Sequence, residues 1–263
     1  MKANLMDLLA LGFLAGIGNI LGGLILFPSE LYKKLKSLLG YLLAFGAGFM
    51  IAVIFAEILP KIIRIRYEQG DREFFLPMIL LLSGYLLTHL LEHTIAPHFH
   101  LGEEISEKGL ISVTTAYTAV AGIAVHTFFD GVSIAAAYML DYKTGVIVFL
   151  AIFLHKIPEG FTVASMFLAS GKSYKHALKV TFFIGFTTFL GTLIFLALGK
   201  YSSLSSVYIL PFASGITLYV AASDLIPEIN HHGGRRPIVS LSVLGGVVLF
   251  FGFHLTYHLI FEK

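Results

Sequence analysis

The sequence predicts an all-α integral membrane protein of eight transmembrane helices, with helices 1–3 and 6–8 forming an inverted repeat around a central pair, helices 4 and 5. Three observations predict it. The chain is 57% apolar and only 13% charged, with a mean hydropathy of +0.85, a balance that soluble domains of this size do not carry. Eight apolar runs reach about 20 residues, the length that crosses a hydrocarbon core of about 30 Å. Two internal echoes, one in helices 2 and 7 and one in helices 4 and 5, pair helices that run in opposite directions.

The runs fall at about 5–27, 37–65, 74–96, 113–140, 144–169, 177–199, 205–230 and 238–261. The first, Met1 to Phe27, lacks a basic leading segment and a small-x-small cleavage site, so it reads as a retained span. Each break is marked by proline, glycine or charge: Pro28 with Lys33, Lys34 and Lys36; Gly70 to Glu73; Gly102 to Gly109; Asp141 to Lys143; Gly171 to Lys175; Lys200 to Ser206; Gly233 to Pro237. No loop is long enough to fold by itself, so residues 1–263 read as a single transmembrane domain. An even number of crossings puts both termini on one side. Lys and Arg in the short loops favour those termini outside, though Lys61, Arg64, Arg66 and Arg72 weaken the bias.

Cysteine is absent, which excludes thiolate sites and disulfides and leaves His, Asp and Glu as metal ligands. A net charge of +2 gives no reason to expect nucleic acid. The central pair carries one pattern twice: His126, Asp130, Gly131 in GIAVHTFFDG, and His155, Glu159, Gly160 in IFLHKIPEG. Residues four apart share a helix face, so each copy aims an imidazole and a carboxylate the same way. Each ionisable group inside lipid costs roughly 2.5–3.5 kcal/mol on insertion scales, so these four need a partner. Two imidazoles and two carboxylates neutralise a divalent cation and suit zinc or another borderline first-row ion. A hydrogen-bonded polar pair packed between helices is the plainer explanation, and the repetition argues against it. Gly131 and Gly160 permit close helix approach, and Pro158 deletes a hydrogen bond beside the site.

The second echo sets Glu57 with Pro60 against Asp224 with Pro227, carboxylates that would line the path near its two mouths; helix-end capping is the alternative. Glu228, His231 and His232 would continue that path. His89, His93, His98, His100, Glu103 and Glu104 form a His-rich segment that either holds metal loosely or is a solvated loop. His254 and His258 repeat the four-residue spacing near the C-terminus, where interfacial packing is the expected role.

The HTFFDG and HKIPEG segments, with LYVAASDLIPE on helix 7, resemble the signature helices of the ZIP (ZRT/IRT-like) metal-ion transporter family. The resemblance implies uptake of a divalent metal, typically zinc; the ligand preferences of Cd2+, Fe2+, Mn2+ and Co2+ overlap with those of zinc at such a site. It implies a homodimer in the cell membrane moving the ion toward the cytoplasm, with His126, Asp130, His155 and Glu159 as transport-site ligands. Many members of that family place Asn after the first His, a carboxylate or Asn after the second, and a Glu on helix 6, and so hold a second metal. Here those positions are Thr127, Lys156 and Thr187 or Thr188, which implies one metal site. Lys156 either balances Asp130 and Glu159 as a built-in cation or snorkels away from them. The competing function is a membrane-embedded zinc hydrolase with Glu159 or Asp130 as general base; the sequence has no His-Glu-x-x-His pair to support it, and the expectation is a transporter, not an enzyme.

Overall fold

The computed structural model describes residues 4–25, 29–71, 75–94, 112–199, 203–227 and 237–261. Within them run α1 (Leu5–Leu24), α2 (Ser29–Val53, then a widened turn at Ile54–Ile58, then Leu59–Glu68), α3 (Phe75–Thr94), α4 (Val113–Leu140), α5 (Tyr142–Ala169), α6 (Tyr174–Gly199), α7 (Ser203–Tyr219, then a widened turn at Val220–Leu225) and α8 (Pro237–Phe261). All eight contain a stretch long and apolar enough to cross a membrane, in agreement with the sequence. The helix at α2 begins eight residues before the expected 37, because a polar turn precedes the apolar span that starts at Gly40.

Local chemistry sets the helix ends. The side chains of Asn4, Ser112 and Asp141 accept the N–H groups of Met6, Thr115 and Thr144, capping α1, α4 and α5. Gly70 and Gly171 stop α2 and α5 with φ of +86° and +80°, values that an L side chain resists. Beyond Gly171, the Lys172 N–H returns to the carbonyl of Phe167 at 3.0 Å and closes the last turn.

The two widened turns are the matched feature. Each holds one of the echoed carboxylates, Glu57 or Asp224, and each ends two residues before a proline, Pro60 or Pro227. A proline inside a helix cannot donate to the carbonyl four residues back and its ring crowds that carbonyl; opening the preceding turn relieves both problems.

Packing divides the bundle. The helix α1 lies along α5 and α6, while α4 lies along α6, α5 and α7. On the other side α2 pairs with α8 and touches α5, and α3 pairs with α7. The least covered apolar windows belong to α3 and α8, 22% and 17% buried, against 67% in α4, so the periphery presents apolar surface and the centre is enclosed. At that centre, a side chain at Gly160 would collide with the Asn19 carbonyl of α1, and one at Gly131 with the Thr188 carbonyl of α6. Glycine at both positions lets a third and a fourth helix press against the central pair.

Candidate metal centre

The four residues expected as ligands meet where α4 crosses α5. His126, Asp130 and Glu159 each bring one ligand atom to within 4.8 Å of the other two. The Nε2 of His126 lies 2.8 Å from Glu159 Oε2. His155 stands beside this trio, with Nε2 3.4 Å from Asp130 Oδ2 and 3.8 Å from Glu159 Oε2. Its other nitrogen, Nδ1, lies 3.3 Å from the Ala151 carbonyl, which can only accept, so Nδ1 carries a proton. In a neutral ring Nε2 then turns a lone pair toward the Asp130 carboxylate, an arrangement that a cation between them would make favourable.

Lys156 does not snorkel. Its side chain is fully buried, with Nζ 2.7 Å from Asp130 Oδ2 and 3.0 and 3.1 Å from the two oxygens of Glu159. The buried centre therefore contains two carboxylates and an ammonium in direct contact, a network in which each charge has a partner of opposite sign. Thr127 turns the other way: its hydroxyl pairs with Thr187 Oγ1 at 2.7 Å. The hydroxyl of Thr188 is buried with no hydrogen-bond partner among the described residues.

Asn19 on α1 is the member of this centre that the sequence reading passed over. It is fully buried, and its Nδ2 donates to Glu159 Oε1 at 2.5 Å. The signal was present, because Asn19 is the one polar residue in the run AGIGNILGG. Asparagine within an apolar, glycine-rich membrane helix needs a polar partner on a neighbouring helix.

The two ends of the bundle differ in their access to the centre. A cavity of about 160 Å³, lined by Thr88, Leu91, Glu92, Val125, His126 and Ile216, reaches His126 from the end where α3 finishes. Glu92 is buried there and hydrogen-bonded to Tyr219; it too escaped the sequence reading, which weighed the neighbouring His89 and His93. Those two rings pack together with centroids 4.1 Å apart. Asp224 sits half-buried in the widened turn of α7, next to Ser223, whose hydroxyl is 2.7 Å from that of Tyr85.

At the opposite end Glu57 is buried and held. Its Oε1 accepts from the Thr144 hydroxyl at 2.9 Å and its Oε2 lies 3.2 Å from His254 Nδ1. His254 thus meets a carboxylate rather than serving only as interfacial packing. Lys61 donates to Asp141 at 2.8 Å and to Thr144 at 2.9 Å, so α2, α5 and α8 are tied together. Burial alone would raise Asp141, but the Lys61 ammonium and the Thr144 N–H hold its carboxyl below the usual 3.8. A gap of about 10 Å³, at the lower limit for one water, lies among Val53, Ile54, Ile58 and Ser133. Glu228, His231 and His232, and the segment His98 to Glu104, lie outside the described residues.

Comparison with known proteins supplies an independent finding. A family model described as ZIP Zinc transporter matches residues 98–259, which include both halves of the centre. The zinc transporter ZIP10 of Mus musculus is 28% identical over 159 residues, 59% of this chain and 19% of its own length. The zinc transporter ZIP4 of Homo sapiens is 34% identical over 135 residues, 49% of this chain and 21% of its own. The zinc transporter ZIP6 of Homo sapiens is 28% identical over 165 residues, 59% of this chain and 22% of its own. The chain thus spans about a fifth of the length of these relatives.

Proposed function

The chain belongs to the ZIP zinc transporter family, and from that premise we propose that it carries a divalent metal ion, zinc first, across the membrane through the centre at the crossing of α4 and α5. The observation that carries this reading is the convergence of His126, Asp130 and Glu159 on one point inside a membrane-spanning bundle, with His155 beside them. Imidazole and carboxylate ligands satisfy a borderline cation and release it when protons compete. Zinc is favoured because the relatives are named zinc transporters; Cd2+, Fe2+, Mn2+ and Co2+ share the ligand preference. One ion binds at a time, because Lys156 rather than a second metal bridges the carboxylates, and neither Thr127 nor Thr188 adds a charged ligand.

Glu57 and Asp224 line the path at its two mouths, with Glu92 beside Asp224, and Glu228 and His231 continue it. With both termini outside the cell membrane, the cavity at Glu92 faces the cytoplasm, and the ion leaves in that direction. An inverted repeat of α1–α3 against α6–α8 underlies these two mouths. Matched close contacts support it: Gly160 against Asn19 answers Gly131 against Thr188, and Gly48 against the Val243 carbonyl answers Gly215 against that of Leu81. The whole chain acts as a single membrane domain. The lipid bilayer and a second copy of the chain complete the assembly, and α3 and α8 have the apolar surface to give to either. Family membership weighs against the hydrolase, as does the engagement of both carboxylates by Lys156 and an imidazole.

Uptake of radiolabelled zinc by proteoliposomes tests the reading, comparing the unmodified protein with His126→Ala and Glu159→Ala. Saturable uptake lost in both variants is the expected result. Tight stoichiometric binding with no uptake would instead favour the hydrolase.

A further inference from the structure

The ammonium of Lys156 touches both carboxylates that the metal would need, and it is buried with them. Its side chain is fully buried and its stem runs beneath α1, where a Cβ at Gly18 would stand 2.8 Å from Lys156 Cβ. One residue further along α1, Asn19 holds the carboxylate of Glu159 to which the ammonium is bound. The two halves of the centre are unequal in charge. At the corresponding place on α4, Thr127 is neutral and turned toward Thr187. The centre therefore has one fixed positive charge, contributed by α5 and covered by α1.

Charge counting gives that ammonium a task. With both imidazoles neutral, two carboxylates and one ammonium give the metal-free centre one net negative charge, and a divalent ion makes it one net positive charge. Without the ammonium the same two states would carry two negative charges and none. The cost of holding charge in a medium of low dielectric grows with its square, so removing Lys156 raises the penalty on the empty centre about fourfold while relieving the loaded one. A carrier that imports metal must return empty. We propose that Lys156 is a tethered counter-cation that takes the metal's place on Asp130 and Glu159, so that the emptied centre can reorient across the membrane and net transport, not merely exchange, can proceed. This inference rests on the transport reading and goes beyond it, since a carrier confined to metal-for-metal exchange would have no need of the ammonium.

The test compares two fluxes of radiolabelled zinc in proteoliposomes held at zero membrane potential: net uptake into metal-free vesicles, and exchange into vesicles preloaded with unlabelled zinc. Lys156→Met keeps the buried stem and removes the charge. It should lower the ratio of net uptake to exchange at least about tenfold, because the empty return is penalised while the loaded crossing is relieved. Lys156→Gln should show the same split, and Lys156→Arg, which retains the charge, should keep the two fluxes together. Equal changes in net uptake and exchange across the neutral variants would overturn the proposal. Absence of both fluxes in the unmodified protein would overturn the transport reading instead, and zinc affinity would then decide the fate of Lys156. Binding tightened at least about tenfold in Lys156→Met would keep the ammonium as a competitor for the carboxylates, whereas unchanged binding would remove it.

Discussion

The two ends of the bundle are built on the same element, a carboxylate in a widened helical turn before a proline, and they are in different conditions. Around Glu57, Thr144, His254, Lys61 and Asp141 close a network that ties three helices together, and a gap of about 10 Å³ lies among Val53, Ile54, Ile58 and Ser133. At the other end Glu92, hydrogen-bonded to Tyr219, borders a cavity of about 160 Å³ that ends on His126. A path closed at one end and open at the other is what alternating access requires at any moment. Under the transport proposal, the network at Glu57 would be the lock on the closed end of that cycle.

The absence of cysteine makes this contrast directly measurable, because one introduced thiol is the only one present. Val125→Cys lines the open cavity and Ser133→Cys the closed gap. With a membrane-impermeant thiol reagent, Val125→Cys should react about 100-fold faster, the ratio that roughly 2.7 kcal/mol of local closing produces. Equal rates would abolish the distinction between the ends. Breaking the lock is the next largest effect. Lys61→Met combined with Thr144→Val removes the ties to Asp141 and Glu57, each worth about 0.7 kcal/mol, and should speed labelling of Ser133→Cys about tenfold. An unchanged rate would mean that apolar packing alone shuts that end.

The smallest effect sharpens the role of Asp141. Its carboxyl titrates below its ordinary 3.8 in the folded protein, so the stability it adds is fully present above that value and is lost as pH falls through the lower folded value. Asp141→Asn keeps a capping side chain and removes the charge. Thermal unfolding should place the variant below the unmodified protein by less than about 1 kcal/mol above pH 5, and the gap should close only when the pH drops beneath 3.8. A gap that persists in acid would mean that the Lys61 contact contributes nothing through its charge.

How much of this was legible in the sequence depends on whether a feature is local. Eight apolar runs and the four-residue spacing of His126 with Asp130 and of His155 with Glu159 are properties of single helices, and both survive in the structure. The same holds for the prolines that announce the two carboxylate turns, although the widening of those turns emerges only once the helix must continue past the proline. Asn19 on Glu159, His254 on Glu57 and Glu92 at the end of the cavity are contacts between distant helices, separated in the first case by 140 positions. Sequence spacing does not encode which helix lies against which. Lys156 stood between the two kinds: three residues from Glu159 it had one partner in reach, but its bond to Asp130 on α4, which fixes it at the centre, required the crossing.

The central claim is that one divalent ion binds at His126, Asp130 and Glu159. Crystals of the zinc-loaded protein, measured with X-rays at the zinc absorption edge, test it most directly. A single anomalous peak per chain within bonding distance of those three residues, with His155 as the neighbouring ligand, is the predicted result. Two peaks at the crossing, or one peak located elsewhere, would contradict it.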